Sequence, residues 1–230
     1  MQPPSPPGKI RYGYLRKTNF NPAGFRPALF STPRPWCVLL LLLLTTMIGG
    51  CGTSGRPQLQ PLAPLPPHEI CRVAVLPFIN ESNYAQADLI VYKILMSELV
   101  NGTTFRVTLE GDVRKAFRQM RIAPQQKPTF EQLRMLADRL GVQLLIAGTI
   151  NEASEVSGGR APNSQLVMTL QLIDAPSGRI LWNTYHKKSG QQYQKVMHFG
   201  LVSSISGLAR RMSQEILELW LQEGLKPCAD

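Results

Sequence analysis

The segment Leu166-Val-Met-Thr-Leu-Gln-Leu-Ile-Asp-Ala-Pro-Ser-Gly-Arg-Ile-Leu-Trp-Asn-Thr184 decides the fold. Leucine and methionine occupy every second position up to Leu172, Asp174 to Gly178 has the composition of a turn, and an apolar run returns after it. This pattern predicts an antiparallel hairpin. The nearly all-apolar run before it, 142–150, predicts a strand at the centre of the sheet.

Strands and helices are expected to alternate around this hairpin. We expect strands over 72–79 and 105–109, helices over 84–100, 112–119 and 129–140, an exposed loop over 151–164, and a long C-terminal helix whose apolar face runs from Leu201 to Leu219. The order predicts an α/β fold, a mixed β-sheet sandwiched by helices, in a single domain over residues 70–230.

The N-terminal part reads as a secretory signal. Six basic residues and no acidic one lie in residues 1–50, before or beside the short apolar run Val38–Leu44. Small residues then lead to Cys51 in the sequence Ile48-Gly-Gly-Cys51, which resembles the bacterial lipobox. We therefore expect a lipoprotein signal peptide over 1–50 and a lipid on Cys51; an uncleaved anchor helix or an ordinary signal are the alternatives.

Residues 51–69 predict a tether. The segment contains five prolines and has no periodicity, so it should be extended, with a reach of roughly 50 Å at about 3.1 Å per residue. Residue 52 is glycine. Aspartate there retains a lipoprotein in the inner membrane of many diderm bacteria, so we expect the cell outer membrane, with the domain on the periplasmic face.

The net charge of +10 overstates how basic the mature chain is. After the signal, the chain contains 19 basic and 15 acidic residues, and so small an excess of positive charge indicates no nucleic-acid partner. Cys71 and Cys228 remain at the two ends of the domain. Export would allow a disulfide between them, although two free, buried thiols fit the sequence equally well.

No catalytic motif stands out. The three histidines have no second ligand at metal-binding spacing, and neither a nucleophile motif nor a phosphate-binding glycine loop occurs. We therefore expect neither an enzyme, nor a metal site, nor a cofactor.

Two apolar features leave alternatives open. Trp182 suits either a membrane-seating aromatic or core packing. The 84–100 helix has a second apolar stripe, Leu89, Tyr92, Met96 and Val100. That stripe suits either an oligomer interface or a helix covered on two sides within its own domain.

Three stretches together carry a resemblance: VAVLPFINES (73–82), ADRLGVQLLIAGTINE (137–152) and the hairpin 166–184. They resemble the lipoprotein superfamily that includes the curli secretion channel CsgG, the exopolysaccharide-export lipoprotein PelC and the penicillin-binding-protein activator LpoB. The resemblance implies a TolB-N-terminal-like α/β domain anchored to the outer membrane and facing the periplasm.

The resemblance implies two functions. One is a homo-oligomeric ring that serves an envelope export or assembly complex, for exopolysaccharide or protein, beside a separate channel. A pore of its own is not expected, because the segments 151–165 and 186–198 are short and polar. The alternative is an LpoB-like monomer that activates a cell-wall synthase, for which the tether is short. In the PelC-like case an aromatic near the membrane helps to seat the ring, and Trp182 is the candidate.

Overall fold

A mixed sheet with helices on both faces forms the domain. The computed structural model describes residues 55–123, 125–156, 163–195 and 199–228, which belong to a compact unit spanning Thr53–Asp230. Its strands are β1 (Gln58–Pro61), β2 (Arg72–Val75), β3 (Ile79–Asn80), β4 (Arg106–Val107), β5 (Leu144–Val156), β6 (Asn163–Asp174) and β7 (Ile180–Ser189). Its helices are α1 (Ala87–Gly102), α2 (Glu110–Gln119), α3 (Phe130–Leu140) and α4 (Ile205–Gln222), and a 3-10 turn covers Gly190–Tyr193. The expected α/β class is confirmed.

The strand order in the sheet is β1-β7-β6-β5-β2-β4, with β3 beside β5. β2 pairs in parallel with β4 and β5, and β3 also runs parallel to β5. The expected hairpin is present as β6 and β7, and both β5–β6 and β7–β1 are antiparallel. The sheet therefore has a parallel half and an antiparallel half that meet at β5.

The loop expected over 151–164 is mostly strand. β5 continues to Val156 and β6 begins at Asn163, with a register shift between Ile150 and Glu152. Residues 157–162 lie outside the described residues. The polar side chains of this segment do not alternate with apolar ones, so the sequence did not predict a strand. The strand extends beyond the apolar part of the sequence because its backbone is hydrogen-bonded to β6.

Each face of the sheet has its own core. On one face α1 and α4 pack against Val73, Ile146 and the alternating apolar residues of β6. On the other face α2 and α3 pack against Ala74, Leu145 and Ile173. On this second face, α2 and α3 do not cover most of strands β6, β7 and β1. Polar side chains such as Gln171, Asn183 and Tyr185 lie there instead. One solvated face is usual in an antiparallel sheet.

Two apolar stripes on α1 follow from its position. The helix contacts the sheet and also lies against α4, so Val91, Leu95 and Leu99 are completely buried. Of the second stripe, the covered-helix alternative accounts for Tyr92, which is 4% exposed. The capping box expected at Thr129 is confirmed, and α3 ends at Gly141, whose φ of 62° is left-handed and favours glycine. α4 begins at Ile205, after Leu201.

Candidate functional site: the anchored edge of the sheet

The proline-rich segment is partly folded onto the domain. β1 pairs with β7 along Gln58–Pro61, from Gln58 opposite Tyr185 to Pro61 opposite Trp182. The backbone N–H groups of Leu62 and Ala63 then donate to the carbonyl oxygen of Leu181, at 2.8 and 3.1 Å. The tether expected over 51–69 therefore contains an edge strand, and the compact unit starts before residue 70.

Trp182 belongs to the core. Its side chain is 4% exposed, on the face of the sheet that α4 covers, and it lines an open pocket of about 600 Å³ together with residues of the segment Leu59–Leu65. An aromatic side chain that seats a protein in a membrane must reach the headgroup layer. In the described conformation Trp182 does not reach the surface, because the segment after β1 lies over it.

The candidate interface stripe on α1 is only partly at the surface. Leu89 and Met96 are half-buried, and Val100 is 58% exposed. Tyr92 is 4% exposed and packs edge-on against the ring of Phe78, with centroids 5.7 Å apart. Burial raises the pKa of Tyr92 to about 12. Tyr92 is therefore a core residue, and the surface part of the stripe comprises Leu89, Met96 and Val100.

Cys71 and Cys228 form a disulfide, with their Cα atoms 4.9 Å apart. Ile70 and Pro227 form a parallel bridge beside it. The N–H of Ile70 donates to the carbonyl of Lys226 at 2.9 Å, and the N–H of Cys228 donates to the carbonyl of Ile70 at 3.2 Å. The C-terminal tail is thus fastened beside the start of β2.

A buried polar cluster joins the end of β7 to α4, and sequence reasoning missed it. His186 is 1% exposed, and its Nε2 lies 2.6 Å from Oε2 of Glu215. Lys188 Nζ lies 3.7 Å from the same oxygen and 4.7 Å from the ring centroid of Tyr193. Burial alone would raise the pKa of Glu215, but the hydrogen bond with His186 and the Lys188 ammonium hold it below its ordinary value of 4.5. The partners are 29 residues apart in sequence, so no local motif could have indicated the pair.

A second polar contact holds the start of α4. Oε2 of Glu155 accepts a hydrogen bond from the N–H of Ile205 at 2.9 Å, and Ser204 caps the same helix through Gly207. A carboxylate is favoured at a helix N-terminus, where unpaired N–H groups point outward. The end of the extended β5–β6 arm therefore has a structural function in positioning α4.

Several expected features fall outside the described residues. Cys51, the candidate lipidation site, and the whole signal segment 1–50 are among them, as is His198. Within the part that is described, no three His, Cys, Asp or Glu side chains are grouped as a metal site would require. In the same part, no helix combines the length and apolar character needed to span a membrane.

Comparison with solved structures supports the fold. A PelC dodecamer from Paraburkholderia phytofirmans is 17% identical, with a TM-score of 0.51, over 75% of this chain and 99% of that one. Lipoprotein GNA1162 from Neisseria meningitidis is 16% identical over 66% of this chain and 99% of that one, with a TM-score of 0.48. The LpoB C-terminal domain from Salmonella enterica is 16% identical over 64% of this chain and 93% of that one, with a TM-score of 0.40. At 17% identity, the likeness to the PelC dodecamer concerns the fold alone.

The sequence comparisons place the chain more specifically. No curated protein matches it. A protein-family model described as peptidoglycan-synthase activator LpoB matches residues 57–187, more than half of the chain. The match supports the LpoB and PelC part of the expected superfamily, and it gives no support to the resemblance to CsgG or to a TolB domain. The match includes β1 and ends within β7, and on this evidence the chain belongs to the envelope-associated family of peptidoglycan-synthase activator LpoB.

Proposed function

We propose that this chain is a non-catalytic outer-membrane lipoprotein, anchored through Cys51, that acts as a periplasmic subunit of an envelope export or assembly complex and works as a homo-oligomer. The observation that carries the proposal is the pairing of β1 with β7. It turns most of the expected tether into part of the domain, which limits how far the domain can stand from its anchor.

The remaining spacer is short. Between Cys51 and Gln58, the first residue of β1, the chain can span at most about 25 Å at roughly 3.3–3.6 Å per residue. A domain held on such a spacer works at the membrane surface. Its partners are then proteins in or at that membrane, as an export complex requires, and other copies of the same chain.

Assembly of several copies is part of the proposal. The PelC protein from Paraburkholderia phytofirmans, whose fold is similar, is described as a dodecamer. On this chain, the exposed part of the α1 stripe, Leu89, Met96 and Val100, offers apolar surface for a contact between copies. The exported substrate would pass through a channel formed by another protein.

A second candidate function rests on the family match. The family is described as an activator of peptidoglycan synthases, so the domain would dock on a cell-wall synthase as a monomer. With the spacer reduced by β1, that synthase would have to approach the outer membrane. The two candidates differ in their assembly state.

The mass of the lipoprotein extracted in mild detergent separates them. A multiple of the subunit mass supports the ring, and the Leu89→Glu/Met96→Glu protein should then run as a monomer. An Arg134→Glu protein, altered at an exposed position of α3 on the other face of the sheet and with the same change in net charge, is the control and should keep the wild-type mass. A monomeric wild type that binds a glycosyltransferase or transpeptidase would reject the ring in favour of the activator.

The anchor has its own test. Cys51→Ser should release the protein from the membrane fraction, because no lipid can be attached. If the variant stays in the membrane with its signal uncut, the prediction of a lipid anchor at Cys51 is wrong.

A further inference from the structure

A basic groove lies where the described chain begins. It has a volume of about 400 Å³, between Gly55–Gln58 and the end of β7. Three cationic side chains line it, Arg56, Lys187 and Lys188, together with neutral donors that include Tyr185 and Gln165. Among the described residues that line the groove, none is acidic. Its volume is in the range of small-molecule sites, roughly 300–1,000 Å³.

The cations of the groove differ in how firmly they are held. Lys187 Nζ lies 3.8 Å from Glu152 Oε2, but the two side chains are 53% and 61% exposed, so this ion pair is weak. Arg56 is exposed and, within the described part of the chain, no carboxylate oxygen lies within 4 Å of its guanidinium. Arg56 and Lys187 can therefore turn toward an incoming anion at little cost.

Lys188, which also lines the groove, provides a charge of fixed position. Its side chain is 11% exposed, and its ammonium is held between Glu215 and the ring of Tyr193. A Cβ added to Gly55 would lie 3.4 Å from Nζ, so the ammonium lies directly beside the backbone that forms the groove wall. The same oxygen of Glu215 also lies 2.6 Å from Nε2 of His186, so Lys188 is not its only partner. The groove is thus lined with positive charge and hydrogen-bond donors, which suits an anion with several oxygen acceptors.

We propose that this groove binds the phosphate group of an anionic phospholipid headgroup in the membrane that carries the anchor. The proposal rests on the lipid anchor of the proposed function. Arg56 follows Cys51 by five residues, at most about 18 Å of chain, which brings the groove within reach of the headgroup layer. The segment 52–68 contains Arg56 and no acidic residue, so nothing in it opposes approach to a negative surface.

The site would orient the domain. An anchor at one point leaves a domain free to rotate about its spacer, whereas a second contact at the end of β7 would set the direction of the strands relative to the membrane. The disulfide is at the other end of the strands, beside the start of β2, and would face the periplasm. A ring assembled from such subunits would have all its copies presented in the same direction.

The test measures the unlipidated chain on vesicles. The chain from Gly52 onward is exported behind a signal peptide that has no lipidation cysteine, which keeps the whole compact unit. Its binding to vesicles of phosphatidylglycerol and phosphatidylcholine is compared with binding to phosphatidylcholine alone, by co-sedimentation. We expect preference for the anionic vesicles, lost as salt is raised.

The variants locate the site. Arg56→Gln/Lys187→Gln should weaken binding by about 25-fold, at roughly fivefold for each charge near the surface. Arg179→Gln/Lys127→Gln removes the same charge elsewhere, with Arg179 at the opposite end of β7, and should bind like the wild type. Arg56→Lys/Lys187→Arg should retain binding. Circular dichroism of each variant checks that it is folded. If the Arg179→Gln/Lys127→Gln protein bound as weakly as the Arg56→Gln/Lys187→Gln protein, the groove would be overturned as the site.

The source of the phosphate is tested in parallel. Inorganic phosphate and an anionic glycan are each titrated in solution, with no vesicles present. Binding of either one, without preference for anionic vesicles, would overturn the lipid assignment. The native mass of the lipidated protein is independent of these measurements, so a monomer that binds anionic vesicles would reject the ring and leave the headgroup site standing.

Discussion

Replacing Cys71 and Cys228 together by alanine should lower the free energy of unfolding by about 3–5 kcal/mol. The two cysteines are separated by 157 positions, so the disulfide crosslinks nearly the whole domain. By the chain-entropy estimate, such a crosslink removes roughly 17 cal/mol/K from the unfolded chain, or about 5 kcal/mol at 25 °C. Measured losses are commonly nearer 2–4 kcal/mol, since the unfolded chain retains structure.

Urea unfolding followed by tryptophan fluorescence provides the assay, because Trp182 and Trp220 are both buried. Three samples are compared: the oxidised wild type, the wild type under reducing conditions, and Cys71→Ala/Cys228→Ala. The reduced wild type should unfold at the same urea concentration as the variant. The dependence on urea should be steeper without the crosslink, because the unfolded chain then exposes more surface.

The result that would refute this reasoning is a loss below about 1 kcal/mol with the disulfide shown to be intact in the wild type. The backbone hydrogen bonds of Ile70 with Lys226 and Cys228 would then hold the tail without help from the covalent bond. Cys71→Ala alone is a useful companion, since it also opens the bond and should show nearly the whole effect.

Three further predictions concern packing and charge. Gly148→Ala should cost about 1–3 kcal/mol in urea unfolding, because the added Cβ would lie 2.5 Å from Cε1 of buried Phe78; a neutral result would show that the ring moves freely. Trp220→Phe should cost about 1–3 kcal/mol, because it leaves Thr184 Oγ1 without the buried donor now 2.8 Å away; Thr184→Val in the same background should recover part of it. Because the pKa of Glu215 is lowered from 4.5 in the folded protein, its carboxylate stabilises the fold at pH values above 4.5, and this contribution is lost as the pH falls from 4.5 through the folded pKa. Glu215→Gln should therefore make the free energy of unfolding depend less on pH in this acid range. An unchanged pH profile would contradict the assignment.

The antiparallel half of the sheet could be predicted because its side chains alternate. In β6, Leu166, Met168, Leu170 and Leu172 are fully buried against the helices, while Gln165 and Thr169 on the other face are half-buried. A strand with one buried face is what an alternation of apolar and polar residues predicts. Helix α3 was equally readable, since its cap and its final glycine are local signals.

What could not be predicted depends on contacts between distant segments. Gln58–Pro61 has no strand pattern of its own, and it becomes a strand because β7 offers an open edge. The second stripe of α1 could not be divided between core and surface, because that division depends on tertiary contacts such as that of Tyr92 with the ring of Phe78. Tertiary contacts also decide between the alternatives that the sequence left open for Tyr92 (interface or covered helix) and Trp182 (membrane contact or core packing), and both side chains are buried.

The pairing of β1 with β7 also has a mechanical consequence. Any tension on the proposed lipid anchor would act first on β1, whose four residues are at the edge of the sheet and pair with β7 alone. Because β1 is the first paired element after the proposed anchor and has only four residues, it would detach before the disulfide-closed remainder of the domain is strained. Detachment of β1, together with loss of the hydrogen bonds from Leu62 and Ala63 to Leu181, would release residues 58–69 as about 40 Å of additional chain at roughly 3.3 Å per residue. The edge strand thus acts as a reserve of length, which lets the domain follow a receding partner without unfolding.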